Sequence, residues 1–307
     1  MKKILLTFIS ICTLAISFKA QTNTLTPITA VDIKEANFDK RFRFGIRATP
    51  QPTWYKSDNN NSKGAGANFG FGFGLIMEFK LSKIIHFQTG VGGDFEGGYI
   101  SYRNDKDFSV NAVMNSDGEY VEAKNGVLTN DYQFKNGSTQ YVLKDRKYKT
   151  TIVTIPLVLK MLTDEYSGAR YFANAGLELG IRAGIKATDT YVSGVKTVIT
   201  GSTLTTPAVA DGDLTRTNIN LSKDASLIPL RLGMNLGVGT EYRLGGSTSL
   251  MVSLNYFQSF TNLMKNDSKY LVKGHDTYVS SDNTNTFTPL NQGYFMRAVR
   301  INIGLLF

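Results

Sequence analysis

The stretch NFGFGFGLIMEFKL, Asn68–Leu81, sets Phe69, Phe71, Phe73, Leu75, Met77, Phe79 and Leu81 on one side of an alternating pattern, with glycines, Glu78 and Lys80 against them. Period two belongs to an extended strand, because successive strand side chains leave opposite faces. What covers the greasy face decides the fold.

Seven other segments alternate in the same way. FRFGIRA begins at Phe42, and HFQTGVGGDFEGGYISY from His86 places Phe87, Val91, Phe95 and Tyr99 opposite Gln88, Asp94 and Glu96. VTIPLVLKML starts at Val153. YFANAGLELGIRAGIKA from Tyr171 sets Leu177, Leu179, Ile181, Ala183 and Ile185 against Asn174, Glu178, Arg182 and Lys186. PLRLGMNLGVGTEYRL from Pro229 and SLMVSLNYFQSF from Ser249 follow, and YFMRAVRINIGLLF closes the chain with Phe307. The links between them alternate in length. They are tight around Ser82–Lys83, residues 163–168 and Gly245–Gly246, and long and polar over about residues 57–66, 103–147, 188–226 and 261–292.

Short turns at one end and long loops at the other predict an all-β fold, an eight-stranded antiparallel transmembrane β-barrel with periplasmic turns and extracellular loops. The apolar face of Phe69–Leu81 then meets lipid hydrocarbon, and closure pairs every backbone group that an open sheet would leave bare. A tilted stave needs ~9–11 residues, which nearly every segment supplies. A soluble sandwich or lipocalin-like barrel would turn the same face inward. The glycines and paired charges opposite suit a crowded lumen better than a wet outer surface.

The N-terminus supports export. In MKKILLTFISICTLAISFKAQ, Lys2 and Lys3 precede an apolar run over residues 4–18, too short for the ~20 residues of a spanning helix. This reads as a signal peptide over residues 1–20, cut after Ala20 or, since Phe18 is bulky, after Ala15. A polar leader over 21–41 and a barrel domain over 42–307 complete the expected layout. Cys12 is the single cysteine, so the processed chain has no thiol chemistry or disulfide. The net charge of +9 falls to +6 without Lys2, Lys3 and Lys19, and it is too scattered to suggest nucleic-acid binding.

On these strands the chain resembles the PorT-like outer-membrane β-barrel family. TIPLVLKM followed by YFANAGLELGIRAG is similar to that family's Ile-Pro-Leu strand and the Gly-rich strand after it, and FGFGLIMEFKLSKIIHFQTGV is similar to its second hairpin. The resemblance covers roughly residues 42–307 and implies an eight-stranded barrel of bacteria that use type IX secretion, a process that requires the family's namesake. The long second, third and fourth loops depart from the family.

The expected lumen is rich in charge: Arg43, Arg47, Glu78, Asp94, Glu96, Lys160, Glu178, Arg182, Lys186, Arg231, Glu241, Arg243 and Arg300. Eight strands enclose a space just wide enough for side chains, so these groups should pair as a plug. An ion path or gate is the alternative. Arg297 breaks the pattern on the lipid side of the last strand, near the outer interface. It is expected to reach a lipopolysaccharide phosphate, or to turn inward through a bulge. Trp54, Tyr55, Tyr99, Tyr171 and Tyr294 fit interfacial girdles. Pro50, Pro52, Pro156 and Pro229 should sit near rims or bulges, with pairing fraying above Thr49. Phe307 fits the C-terminal signal read by the barrel-assembly machinery.

Enzymatic signals are poor. His86 is expected at the periplasmic rim and His275, in GHDTYVSSD, in the last long loop, so no triad or metal site assembles. Gly70, Gly72 and Gly74 do not complete a nucleotide-binding motif. No cofactor is expected. Residues 108–143 carry two hairpin-like units turning at NSDG (Asn115–Gly118) and KNGS (Lys135–Ser138), a small extracellular β cap. Three functions stay open: a monomeric, non-enzymatic barrel whose loops bind a secretion or other envelope protein, a narrow pore, and a lipid-modifying enzyme using His275.

Overall fold

The computed structural model describes residues 40–105, 108–114, 119–120, 127–128, 138–200, 203–205, 215–222, 227–264, 267–274, 285–286 and 289–307. The signal peptide, the leader up to residue 39 and His275 lie outside them.

Eight antiparallel staves close on themselves: β1 (Phe42–Ser57), β2 (Ser62–Lys80), β3 (Ile85–Tyr102), β4 (Ser138–Leu162), β5 (Ala169–Thr200), β6 (Leu230–Gly245), β7 (Thr248–Ser259) and β8 (Tyr294–Leu306). Each pairs with its sequence neighbour, and β8 returns to β1 with Ile46 opposite Leu305 and Tyr55 opposite Met296. The expected barrel is therefore present and has no open edge. Parity sorts the side chains as the alternation requires. Phe69, Phe71, Phe73, Leu75, Met77, Phe79 and Leu81 are all exposed on the outer wall, as are Leu157, Leu159, Ile181, Val238 and Leu254 on other staves. Water would not tolerate so continuous an apolar belt, and hydrocarbon does.

The turn end is compact. Only Gly246 and Ser247 join β6 to β7, with a φ of 56° at Gly246. That left-handed first corner matches the two-residue hairpin turn whose twist suits the flanking strands, and it needs glycine. Farther up, Gly176 faces Val158 across the β4–β5 ladder, where a Cβ would collide with the backbone of Leu157 and Val158. Gly176→Ala is expected to destabilise the folded barrel by about 1–3 kcal/mol, read from urea unfolding in lipid.

Several sequence expectations need correction. The first link is not long: β1 runs to Ser57 and β2 begins at Ser62. Gly64, Ala65 and Gly66 carry no apolar alternation, yet they pair or bulge within the ladder. Pairing does not fray on both sides of Pro50 and Pro52. Both stay in register with Phe71 and Phe69 of β2, while the β8 ladder skips from Ala48 to Thr53, where the prolines lack N–H donors. Pro156 lies inside a stave rather than at a rim. It faces Glu178 on β5, and the β3 ladder skips from Gln88 to Gly92 beside it. Pro229 sits just before β6 and accepts a hydrogen bond from Arg182 N at 2.8 Å.

The loop end differs most from expectation. β4 and β5 have 25 and 32 residues, roughly 80 and 100 Å of strand at ~3.3 Å per residue, far beyond what a bilayer needs. Their upper halves pair together and form the spine of a cap. Ser109–Met114 adds to β4, Asp267–Gly274 adds to Ser109–Met114, and Pro289–Asn291 adds to that strand. Thr203–Thr205 and Thr215–Asn220 flank β5. The described cap is thus drawn from the three long connections, most of it into one sheet, with Val127–Leu128 and Asn285–Thr286 pairing as a separate two-stranded piece. Met114 bridges Tyr120 in the antiparallel sense that the first expected hairpin requires. Residues 115–118 and 135–137 lie outside the described segments.

Candidate functional site

The lumen is filled in two charged tiers. Near the turn end, Arg43 of β1, Glu78 of β2, Lys160 of β4 and Glu241 of β6 meet with their side chains 3% exposed or less. Arg43 donates to both carboxylates, at 3.1 Å to Glu241, and Lys160 donates to both as well, at 2.9 Å to Glu78. His86 of β3 joins through Nδ1, 2.6 Å from Glu78. It belongs to the lumen network rather than to a bare rim. The signal was available: His86 shares the parity of Gln88, Asp94 and Glu96.

The second tier lies toward the loop end. Arg231 of β6 and Arg300 of β8 both bind Glu96 of β3 and Glu178 of β5, with Arg231–Glu178 at 2.7 Å and Arg300–Glu96 at 3.0 Å. Gln51 accepts from Arg300 Nε at 2.7 Å. Phe257, fully buried, lies under both guanidinium groups, 4.3 Å from Arg300 and 4.6 Å from Arg231. Each tier sets two carboxylates against two basic side chains. That is the arrangement in which a desolvated charge is tolerable, since an unpaired one costs several kcal/mol.

Polar groups occupy the space between. Asp94 accepts from Thr154 at 2.9 Å and from Gln51 at 3.4 Å, and Arg47 reaches Asn302 at 3.4 Å. Asn255 links Asn174, Asn235 and Asn302 at 2.9 Å each. A cavity of about 30 Å³ beside Arg47 and Asn255 has room for roughly one water.

Three charges read as luminal lie outside the two tiers, and one of them leaves the lumen altogether. Lys186 points outward, because Thr151 faces Gly184 while Ile152 faces Arg182, which leaves Ala183 as an extra residue. This bulge reverses the parity above it and carries Ile185 and Ala187 inward. Arg182 remains on the inner face but donates to the Ile228 and Leu227 carbonyls at 3.3 and 3.5 Å, outside the two tiers. Arg243 pairs with Glu165 at the turn end, 2.8 Å away. Also at that end, a hydrogen bond and the charge of Lys83 hold the Asp164 carboxyl below its ordinary range.

Above the tiers the lumen turns apolar. Tyr55, Ile100, Tyr102, Val110, Leu143, Tyr148, Ile185, Tyr191, Leu221, Leu227, Leu271 and Tyr294 form one buried core that runs from the barrel mouth into the cap. Tyr55 and Tyr294 are therefore inside, not in the girdle; Tyr55 packs edge-on against Tyr148 with centroids 6.0 Å apart. Tyr171 does lie on the outer wall, with Trp54 and Tyr99 half-buried. Within the cap Arg146 grips Asp189 with two hydrogen bonds, at 2.6 and 2.7 Å, and Tyr120 donates to the same carboxylate. Burial alone would lower the Arg146 guanidinium, but Asp189 raises it well above its ordinary value. Burial, with Asp189 adding to it, pushes the Tyr120 phenol up. Nothing in the sequence singled out this pair, although Arg146 and Tyr148 keep the inward parity of Thr150 and Ile152.

Arg297 faces outward on β8, with Trp54 and Gln258 as its cross-strand neighbours, so no bulge turns it in. Phe307 donates its backbone N–H to Phe44 at 2.8 Å, and the two rings lie 5.5 Å apart. Among the described residues no group of three or more His, Cys, Asp or Glu could hold a metal ion.

No curated protein matches the chain. Solved structures that are similar to it include neisserial surface protein A (11% identity, 86% of this chain and 95% of that one, TM-score 0.35) and the attachment invasion locus protein Ail of Yersinia pestis (10%, 87% and 100%, 0.27). Another is the outer membrane protein OprG of Pseudomonas aeruginosa (9%, 87% and 95%, 0.35). A family model described as the outer membrane protein beta-barrel domain matches residues 20–265, most of the chain. This is an outer-membrane protein, and the chain belongs to the outer membrane protein beta-barrel domain family.

Proposed function

We propose that this protein is a monomeric, non-enzymatic barrel that acts as a rigid stalk for its extracellular cap, and that the cap docks another component of the cell envelope. The observation that carries the reading is the continuous apolar core from the barrel mouth into the cap. A binding surface gains precision from a rigid support, and here the cap is fused to the barrel by packing as well as by strands. Resemblance to the PorT-like family suggests the more specific role of an accessory to type IX protein secretion. Phe307 would be read by the assembly machinery during insertion, after removal of the signal peptide. Arg297 would rest against lipopolysaccharide headgroups at the outer interface.

The pore reading is disfavoured by the two tiers and the apolar mouth above them, which leave small polar cavities where a channel would need water. In planar bilayers the purified protein is expected to give no single-channel steps. Ohmic conductance that changes in Glu178→Gln would reject the stalk reading. Deletion of the gene in its own host, scored by export of cargo carrying type IX targeting domains, tests the specific role. Loss of export restored by the wild-type gene is the expected result; normal export would leave the docking partner to be sought elsewhere. Because the proposed docking needs no catalysis, His275→Ala is expected to complement as well as wild type.

A further inference from the structure

Lys149 of β4 and Lys186 of β5 are direct cross-strand partners, and both point outward. Like charges placed directly opposite destabilise a sheet unless something offsets them. No described carboxylate pairs with either lysine. Lys147 lies two residues above Lys149 on the same face, its ammonium 4.7 Å from the centre of the Tyr99 ring.

Position gives the cluster its meaning. Lys149 sits two residues above Thr151, whose β3 partner is the exposed Phe95; Phe95 in turn faces Phe71. The lysines thus begin where the apolar belt ends on the extracellular side. Lysine and aromatic groups line one concavity of about 630 Å³, with Phe69, 74% exposed, in its wall and Asn220 of the flanking strand opposite Lys186. This is a surface with an apolar lower half that continues into hydrocarbon and a cationic upper half. Glu96, the one carboxylate among its lining residues, is 2% exposed and is taken up by Arg231 and Arg300 in the lumen. A ligand that satisfies both must be an anionic amphiphile.

We infer that the concavity bounded by Lys147, Lys149 and Lys186 binds a phosphorylated glycolipid of the outer leaflet, with the phosphate between Lys149 and Lys186 and the acyl chains along Phe69, Phe71 and Phe95. The bulge at Ala183 creates the site, because without it Lys186 would point into the lumen. The inference is independent of what the cap docks.

The test uses the full-length protein folded in a non-ionic detergent and titrated with purified lipopolysaccharide, the bound glycolipid being counted by native mass spectrometry. A lysine near an anionic surface contributes roughly fivefold to affinity, so Lys149→Gln with Lys186→Gln should weaken binding about 30-fold. Lys149→Arg with Lys186→Arg should restore it, and enzymatically dephosphorylated lipopolysaccharide should bind the wild type as weakly as the native glycolipid binds the Gln variant. A second readout guards against misfolding: in non-ionic detergent alone the Gln variant should unfold no sooner than wild type, since it has lost a repulsion. Equal affinity of a folded Gln variant, or no dependence on phosphate, would overturn the site. Full displacement of the glycolipid by millimolar orthophosphate would overturn the lipid assignment in favour of a free anion.

Discussion

Glu178→Gln is expected to lower the stability of the folded barrel by about 3–5 kcal/mol, the range seen when one partner of a buried ion pair is removed. The side chain is fully buried and is shared by two guanidinium groups, one from β6 and one from β8. With the charge gone, Arg231 and Arg300 must share Glu96 alone. A guanidinium keeps its proton in proteins, and the two side chains are 9% and 1% exposed, so little solvation replaces the lost partner. Stacking on Phe257 lowers that penalty but does not remove it, since a cation–π contact in a desolvated site contributes about 2 kcal/mol. Reversible urea unfolding in lipid vesicles would measure the loss. Adding Arg300→Gln to the Glu178→Gln background restores two-sided balance, so the double variant should cost less than the two single losses added together. A Glu178→Gln loss below about 1 kcal/mol would mean that the tier is hydrated, as a surface pair is, and the plug would then have to be reconsidered as a wet path.

The same tier shows how much of this molecule can be read from the chain. Arg43, Glu78, Glu96, Glu178, Arg231, Glu241 and Arg300 each sit at the polar parity of an alternating stave, and a narrow barrel leaves such side chains nowhere to go but toward one another. Which acid meets which base was not legible. It depends on stagger between strands as far apart in sequence as β1 and β6, and a period of two says nothing about stagger. Lys186 failed for a different reason. A single extra residue at Ala183 reverses parity, and neither Gly180, Gly184 nor their surroundings mark where the bulge falls. Tyr55 and Tyr294 looked like girdle residues because the rule for aromatics at an interface holds only for outward parity. Both lie on inward parity and serve the cap's core. The cap itself was visible only as polarity and hairpin turns, because its sheet is assembled from segments as remote as Ser109–Met114 and Asp267–Gly274.

On the outer wall the expected penalty depends on depth alone, which makes it the sharper test of the membrane reading. Leu75 is the middle of the seven apolar residues from Phe69 to Leu81, and its cross-strand neighbours are Ile46 and Val91, both exposed to the same environment. An arginine there has no acid beside it, and six residues of strand separate it from either end of the belt, about 15 Å of depth for a stave tilted by ~40°. Leu75→Arg is therefore expected to cost about 2–4 kcal/mol, whereas Phe69→Arg, at the rim, should cost about 0–1 kcal/mol beyond the lost ring contact. The native chain follows this gradient: Arg297 occupies outward parity opposite Trp54, near the same rim, where its head can reach water or phosphate. Folding into vesicles of a single lipid, followed by urea titration, would give both values. The same barrel standing in water would show no gradient, because an arginine replacing a water-exposed leucine would cost almost nothing at either position. Equal, small losses at Leu75 and Phe69 would thus remove the bilayer from the account of Phe69–Leu81, and a difference of 2 kcal/mol or more would leave hydrocarbon as the only environment that fits it.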